Sequence, residues 1–187
     1  MPKLVWKPGT LLAPVPPALV SCGTLEKPNT FTVAWTGIVN TNPAMTYISV
    51  RPERYSYHML KESREFVVNL TTERLSRAAD WCGVRSGADV DKWKEMKLTR
   101  GKAKTLAYAP ILVESPVNIE CKVREILELG SHHMFLAEVS AVQVEEGYLA
   151  ESGKFELNQS GLITYSHGEY FCMGKPLGRF GWSVKKR

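Results

Sequence analysis

The sequence predicts a mainly β fold, an antiparallel barrel that is closed or nearly closed and carries a few short helices. Three observations predict it. Short β-rich runs recur between turn signals, the second half of the chain is nearly all of this kind, and helical patterning is confined to short stretches. With 187 residues, 44% hydrophobic and 23% charged, the chain suits one globular domain with a sizeable core.

The elements follow in order. Residues 1–17 hold five prolines and predict an extended arm rather than a helix. Residues 19–23 read as a short strand, 26–29 as a turn and 30–36 as a second strand, together a hairpin. In the second strand Phe31, Val33 and Trp35 share one face, and Thr32, Ala34 and Thr36 the other. Residues 40–43 are a loop by composition, and 45–50 a strand stopped by Pro52. Tyr55 or Ser56 caps a short helix through Glu62, after which 65–70 return to strand. Thr72 and Glu73 open an amphipathic helix to about Trp81. Residues 82–90 read as a glycine-containing loop and 91–96 as a short helical turn. Strands are then predicted over 106–113, 117–128 and 133–144, with Gly130 and Ser131 turning between the last two. In the long central strand Ile119, Cys121 and Val123 oppose Glu120, Lys122 and Arg124, so one face is wet or lies at a polar contact. The domain organisation expected is an arm (1–17), one barrel domain (18–174) and a basic tail (175–187).

Composition narrows the function. Lys175, Arg179, Lys185, Lys186 and Arg187 follow residue 174 with no acid among them, and removing them from the 24 basic residues leaves 19, matching the 19 acids. The net charge of +5 therefore reflects the tail, which argues against nucleic acid as a partner. No apolar run approaches the ~18 residues of a membrane span, and the N-terminus has no signal-peptide pattern. Cys22, Cys82, Cys121 and Cys172 are widely spaced, which favours reduced thiols in a cytoplasmic protein. Neither they nor His58, His132, His133 and His167 have metal-ligand spacing. A dinucleotide-binding glycine fingerprint, a phosphate-loop signature and a His-Glu-x-x-His pair are all absent.

Two segments carry chemistry. Thr32-Val-Ala-Trp-Thr-Gly37 presents small residues on one strand face, which leave room for a flat ligand or for a close neighbouring strand. Ser49-Val-Arg-Pro-Glu-Arg-Tyr-Ser56 ends a strand in guanidinium and hydroxyl donors just before a helix, a set suited to a phosphate. Arg51 and Arg54 could equally be surface cations paired with Glu53 or Glu62. A flat wall beside an anion site points to a nucleotide-like cofactor such as FMN. Asn69 closes an apolar strand, where its carboxamide can reach a heterocycle edge or simply end the strand.

These segments, in order, resemble the flavin reductase family with its FMN-binding split barrel, closest to the flavoredoxin-like branch. The resemblance continues through Glu65-Phe-Val-Val-Asn-Leu70 and Trp81-Cys-Gly-Val-Arg-Ser-Gly-Ala-Asp-Val-Asp-Lys92. It extends to Ser115-Pro-Val-Asn-Ile-Glu-Cys-Lys122 and Gly130-Ser-His-His-Met-Phe-Leu-Ala-Glu138. It implies a Greek-key antiparallel split barrel and a homodimer with one FMN per subunit. Thr32, Val33, Ala34, Trp35 and Thr36 would line the flavin, and Ser49, Val50, Arg51, Arg54, Tyr55 and Ser56 would hold its phosphate. Asn69 would face the ring edge. The loop of Cys82, Gly83 and Ser86 would close over the cofactor, with Lys92 or Arg51 near the reduced ring. His132 matches a histidine beside the nicotinamide site, although Ser131 stands where the reductases have Asp. The implied activity is NAD(P)H-dependent reduction of flavin, with electrons passed to free flavin, a metal complex or a partner protein. The alternatives are a flavoredoxin-type electron carrier and a non-enzymatic β-barrel binding module.

Overall fold

Two edge strands that are consecutive in the chain force this sheet to close on itself. The computed structural model describes residues 1–184, so Lys185, Lys186 and Arg187 of the basic tail lie outside the described residues. Strands β1 (Ala18–Gly23), β2 (Pro28–Val33), β3 (Thr36–Thr41), β4 (Ala44–Val50), β5 (Glu65–Asn69), and two more numbered below form one seven-stranded sheet. Short pairs β6 (Arg100–Gly101) with β7 (Ile111–Leu112) stand apart from it, and the long hairpin β8 (Val117–Glu128) and β9 (His133–Val144) completes it. The order is β2-β1-β5-β8-β9-β4-β3, every neighbour antiparallel. Only Ala34 and Trp35 separate the edge strands β2 and β3, and the Ser49 N–H donates to the Trp35 carbonyl across the seam at 2.9 Å. The barrel is therefore split at Ala34 and Trp35. Bulges at Glu120/Cys121 and Val123/Glu125 bend the long hairpin so that it can wrap. Gly130, at φ 94, makes its turn in a conformation that other residues rarely adopt.

The interior follows from strand alternation. Val20, Phe31, Ile48, Phe66, Cys121 and Phe135 all point inward and are buried. Helix α1 (Ser56–Ser63) closes one end with Tyr57 and Leu60. Burying Phe66 and Phe135 contributes about 1.5–3 kcal/mol each. On the outside, α2 (Ser76–Val84) lays Ala79 and Cys82 over Leu19 of β1. The four-residue α3 (Lys92–Glu95) is N-capped by Asp91, whose Oδ1 accepts from the Trp93 and Lys94 N–H groups at 3.0 and 3.1 Å. A last hairpin, β10 (Ile163–Ser166) and β11 (Glu169–Cys172), is tied to the arm by reciprocal backbone bonds between Val15 and Tyr165. No helix among the described residues is long and apolar enough to cross a membrane.

The structure departs from the sequence expectations in specific places. The expected strand 30–36 breaks at the seam, and Asn40 and Thr41 belong to β3 rather than to a loop. Helix α2 runs on to Val84, after a 3-10 turn at Glu73–Leu75, so Cys82 and Gly83 are helical rather than part of a loop. The expected strand 106–113 is an irregular strap, with only Ile111–Leu112 paired. Its N–H groups go to side chains instead of a neighbouring strand. Glu65 accepts from Ala107, Tyr108 and Ala109, while Glu120 accepts from Lys104, Thr105 and the Gln143 amide. Of the two readings for the face of β8 that carries Glu120, the polar contact is the one realised at that position, with the carboxylate buried beneath the strap.

Candidate cofactor cleft

The seam opens into a cleft of about 390 Å³, within the range of small-molecule sites. Ala34 and Trp35 belong to neither flanking strand, so the flat stretch from Thr32 to Trp35 forms its floor. Ser49 and Val50, at the end of β4, continue the wall into Arg51 and Arg54. Neither guanidinium forms an ion pair among the described residues, so the alternative of surface pairing with Glu53 or Glu62 is not realised. Arg54 is steadied by one bond, from Nη1 to the Gly83 carbonyl at 2.9 Å, which leaves its other N–H groups for a ligand. The opposite wall is α2. Thr32 Oγ1 donates to the Ala79 carbonyl, and a Cβ at Gly83 would meet Thr32 Cβ at 3.3 Å, so glycine permits this close approach.

His132 stands just before β9 and packs on the half-exposed Trp35, ring centroids 4.4 Å apart. Partial burial, then the nearby Arg51 with a smaller push from Arg54, lowers its pKa below the ordinary value against the opposing pull of Glu53. At neutral pH it is an uncharged imidazole, able both to donate and to accept. Its neighbour His133 shares a 2.7 Å hydrogen bond from Nδ1 with Tyr57 Oη, which ties α1 to the start of β9. The cleft also has an acid and two phenols in its lining. Asp80, Tyr165 and Tyr170 line it together with Gly168 and Pro17. Burial first, and then the Asp80 charge, pushes the Tyr170 phenol up to about 12, so it stays protonated.

Ten of the expected site residues therefore meet in one cleft: Thr32, Val33, Ala34, Trp35, Ser49, Val50, Arg51, Arg54, Gly83 and His132. Seven do not line it. Asn69 is corrected most sharply. It is buried, its amide donates to the Leu19 carbonyl and Ser21, and its oxygen accepts from Leu112 and Asn118, so it holds the strap and has no capacity left for a ring. Thr36 donates to the Tyr47 carbonyl across the β3–β4 hairpin. Ser56 is buried behind the cleft and accepts from Asn29 at 2.7 Å. Tyr55 is exposed on a different surface, and Ser86 accepts from the Ala88 N–H in the turn beyond α2. Cys82 is buried on the far side of α2 from the cleft, and the buried Lys92 reaches its carbonyl. The sequence reading missed Asp80 and Tyr170. Tyr165 and Gly168 lie on the β10–β11 hairpin, whose place beside the seam only the tertiary fold shows.

The barrel is thus split by a flat-walled cleft lined by two guanidinium groups that have no carboxylate partner among the described residues. The chain belongs to the flavin reductase like domain family, which it matches over residues 11–171. It falls with the flavoredoxin branch. Its structure is similar to flavoredoxin of Desulfovibrio vulgaris (Miyazaki F), with a TM-score of 0.89 and 28% identity, covering 98% of this chain and 100% of that one. It is also similar to an FMN-binding protein from Thermus thermophilus with bound 1-cyclohex-2-enone, with a TM-score of 0.79 and 25% identity, covering 96% and 98% of the two chains. In sequence it is 25% identical to an NADPH-flavin oxidoreductase of Streptomyces viridifaciens over 112 residues, 58% of this chain and 55% of that protein.

Proposed function

We propose that this protein is an FMN-dependent oxidoreductase of the flavin reductase type, oxidising NAD(P)H. The observation that carries the reading is the pairing of the flat Thr32–Trp35 floor with two unpaired arginines in one cleft. The donor set fits the cofactor: Ser49, Arg51 and Arg54 hold the phosphate, and the backbone and side chains of 32–35 receive the ring. When bound, FMN supplies the redox centre that takes electrons from a nicotinamide and passes them to free flavin, a metal complex or a partner protein. His132, neutral and set against Trp35, orients the donor or holds a proton at its imidazole. Mixing the FMN-loaded protein anaerobically with NADH or NADPH is expected to bleach the flavin. If neither bleaches it, the reductase activity is lost and the second reading, a flavoredoxin-type carrier, takes its place. Ser131, in the position of the reductases' Asp, favours that second reading, as does the likeness to a flavoredoxin over nearly the whole chain.

The working form in this proposal is a homodimer. A compact 21.0 kDa monomer exposes about 9,000 Å², whereas this chain exposes 12781 Å². The surplus exceeds the ~1,000–2,500 Å² per chain that obligate homodimers bury. Both terminal segments leave large apolar side chains uncovered, among them Leu4, Val5, Trp6 and Leu12, and Leu177 and Phe180. Sedimentation equilibrium at twice the chain mass is expected, and a monomer at micromolar concentration contradicts it. Cytoplasmic location belongs to the same proposal, supported by four cysteines that are all free thiols.

A further inference from the structure

Once a phosphate answers Arg51 and Arg54, the lining of the cleft keeps one uncompensated charge. Its formally charged side chains are Arg51, Arg54 and Asp80, and His132 is neutral. A phosphate monoester carries about 1.5 to 2 negative charges at neutral pH, which offset the two guanidinium groups. Asp80 has no such partner. It forms no ion pair among the described residues, not even with Arg77 one turn back on α2.

Asp80 stands beside Tyr170, whose phenol its charge helps to keep protonated. Tyr170 in turn pairs with Tyr165 across the β10–β11 hairpin, with ring centroids 5.2 Å apart and planes at 62°. The hairpin is held from two directions. The arm binds it through Val15 and Tyr165, while the Ile163 N–H donates to the Thr71 carbonyl at 3.1 Å and the Glu73 N–H to the Gly161 carbonyl at 3.0 Å. Its own turn sets His167 and Gly168 at φ 51 and 89, the positive values that a two-residue hairpin loop favours. The groups acting on Tyr170 are Asp80 and Tyr165, whereas those acting on His132 are Arg51, Glu53 and Arg54. The two sets share no member, so the acid and the phenols form a subsite of their own within the cleft.

We propose, on the reading that FMN occupies the cleft, that Asp80, Tyr165 and Tyr170 are the wall that selects the second ligand. That ligand is a planar aromatic molecule whose ring end is cationic or neutral. The phenol faces receive a flat ring and attract positive charge. The carboxylate attracts a cation or accepts from a neutral donor, and repels an anion. Of the electron acceptors named above, a free flavin ring fits this wall, and a metal complex of an anionic chelator is turned away.

The test uses three probes of one shape and different charge: benzamidine, a cation at pH 7, neutral benzamide and anionic benzoate. Each is titrated into the oxidised, FMN-loaded full chain, and binding is read from the perturbed visible band of the flavin, with no turnover. Benzamidine is expected to bind about tenfold more tightly than benzoate, with benzamide between them. Asp80→Asn is expected to remove most of that preference. Benzoate as the tightest probe, no binding of any probe, a preference that survives Asp80→Asn, or probes that release FMN instead of perturbing it each overturn the proposal. If the Asn variant does not hold FMN, the wild-type chain decides: the preference must shrink between about 0.01 M and about 1 M salt, and one that does not change overturns it. Wild-type protein that takes up no FMN removes the flavin reading, and this inference with it, whereas FMN-loaded protein that does not discriminate among the probes overturns this inference alone.

Discussion

Replacing Arg51 and Arg54 together by Met weakens FMN binding by about two to four orders of magnitude, because each charge-assisted bond to a phosphate contributes about 1.5–3 kcal/mol. Both side chains line the cleft, and neither is held by a carboxylate among the described residues. Their charge is therefore available to a ligand rather than spent within the fold. Riboflavin binding is expected to change only a few fold, since the floor at Thr32–Trp35 is untouched. Quenching of flavin fluorescence on titration measures both ligands. An FMN affinity unchanged in the double variant would place the phosphate elsewhere.

The second large effect is on stability. Glu120→Ala is expected to cost roughly 3–5 kcal/mol, because it strands several buried donors at once. Its two oxygens accept from the Lys104 and Thr105 N–H groups at 2.8 and 2.7 Å, from the Thr105 hydroxyl at 2.6 Å and from Gln143 at 2.8 Å. Burial alone would raise the Glu120 pKa, but these bonds outweigh it and lower the pKa beneath its ordinary 4.5. A depressed carboxylate pKa contributes stability above the unfolded value and loses it as pH falls through the folded one. The gap between wild type and variant, read from urea denaturation, should therefore be full near pH 7 and shrink in acid below 4.5. A gap of the same size at all pH values would mean that the carboxylate charge is not what holds the strap.

The cleft was legible where local chemistry determines it. Thr32 to Trp35 have alternating composition at the end of β2, and Ser49 near the end of β4 is followed directly by Arg51 and Arg54, so both stretches announce their surfaces within a few residues. The long hairpin was legible for the same reason: Val117–Glu128 and His133–Val144 match the expected bounds. The strap was not. Residues 106–113 have strand composition, and what keeps them irregular is Glu65, whose bonds to Ala107, Tyr108 and Ala109 span separations that local patterning does not encode. Asn69 misled in the same way, since its position at a strand end looks alike whether it faces a ligand or ties Leu112 to Leu19. Asp80 and Tyr170 join the cleft only because α2 and the β10–β11 hairpin converge there, which depends on the closure of the barrel.

The most direct measurement is the visible absorption spectrum of the purified protein, before and after incubation with FMN and removal of excess. A band near ~450 nm that stays with the protein, as expected of a bound flavin, is the predicted result. Protein that remains colourless after FMN is added contradicts the account.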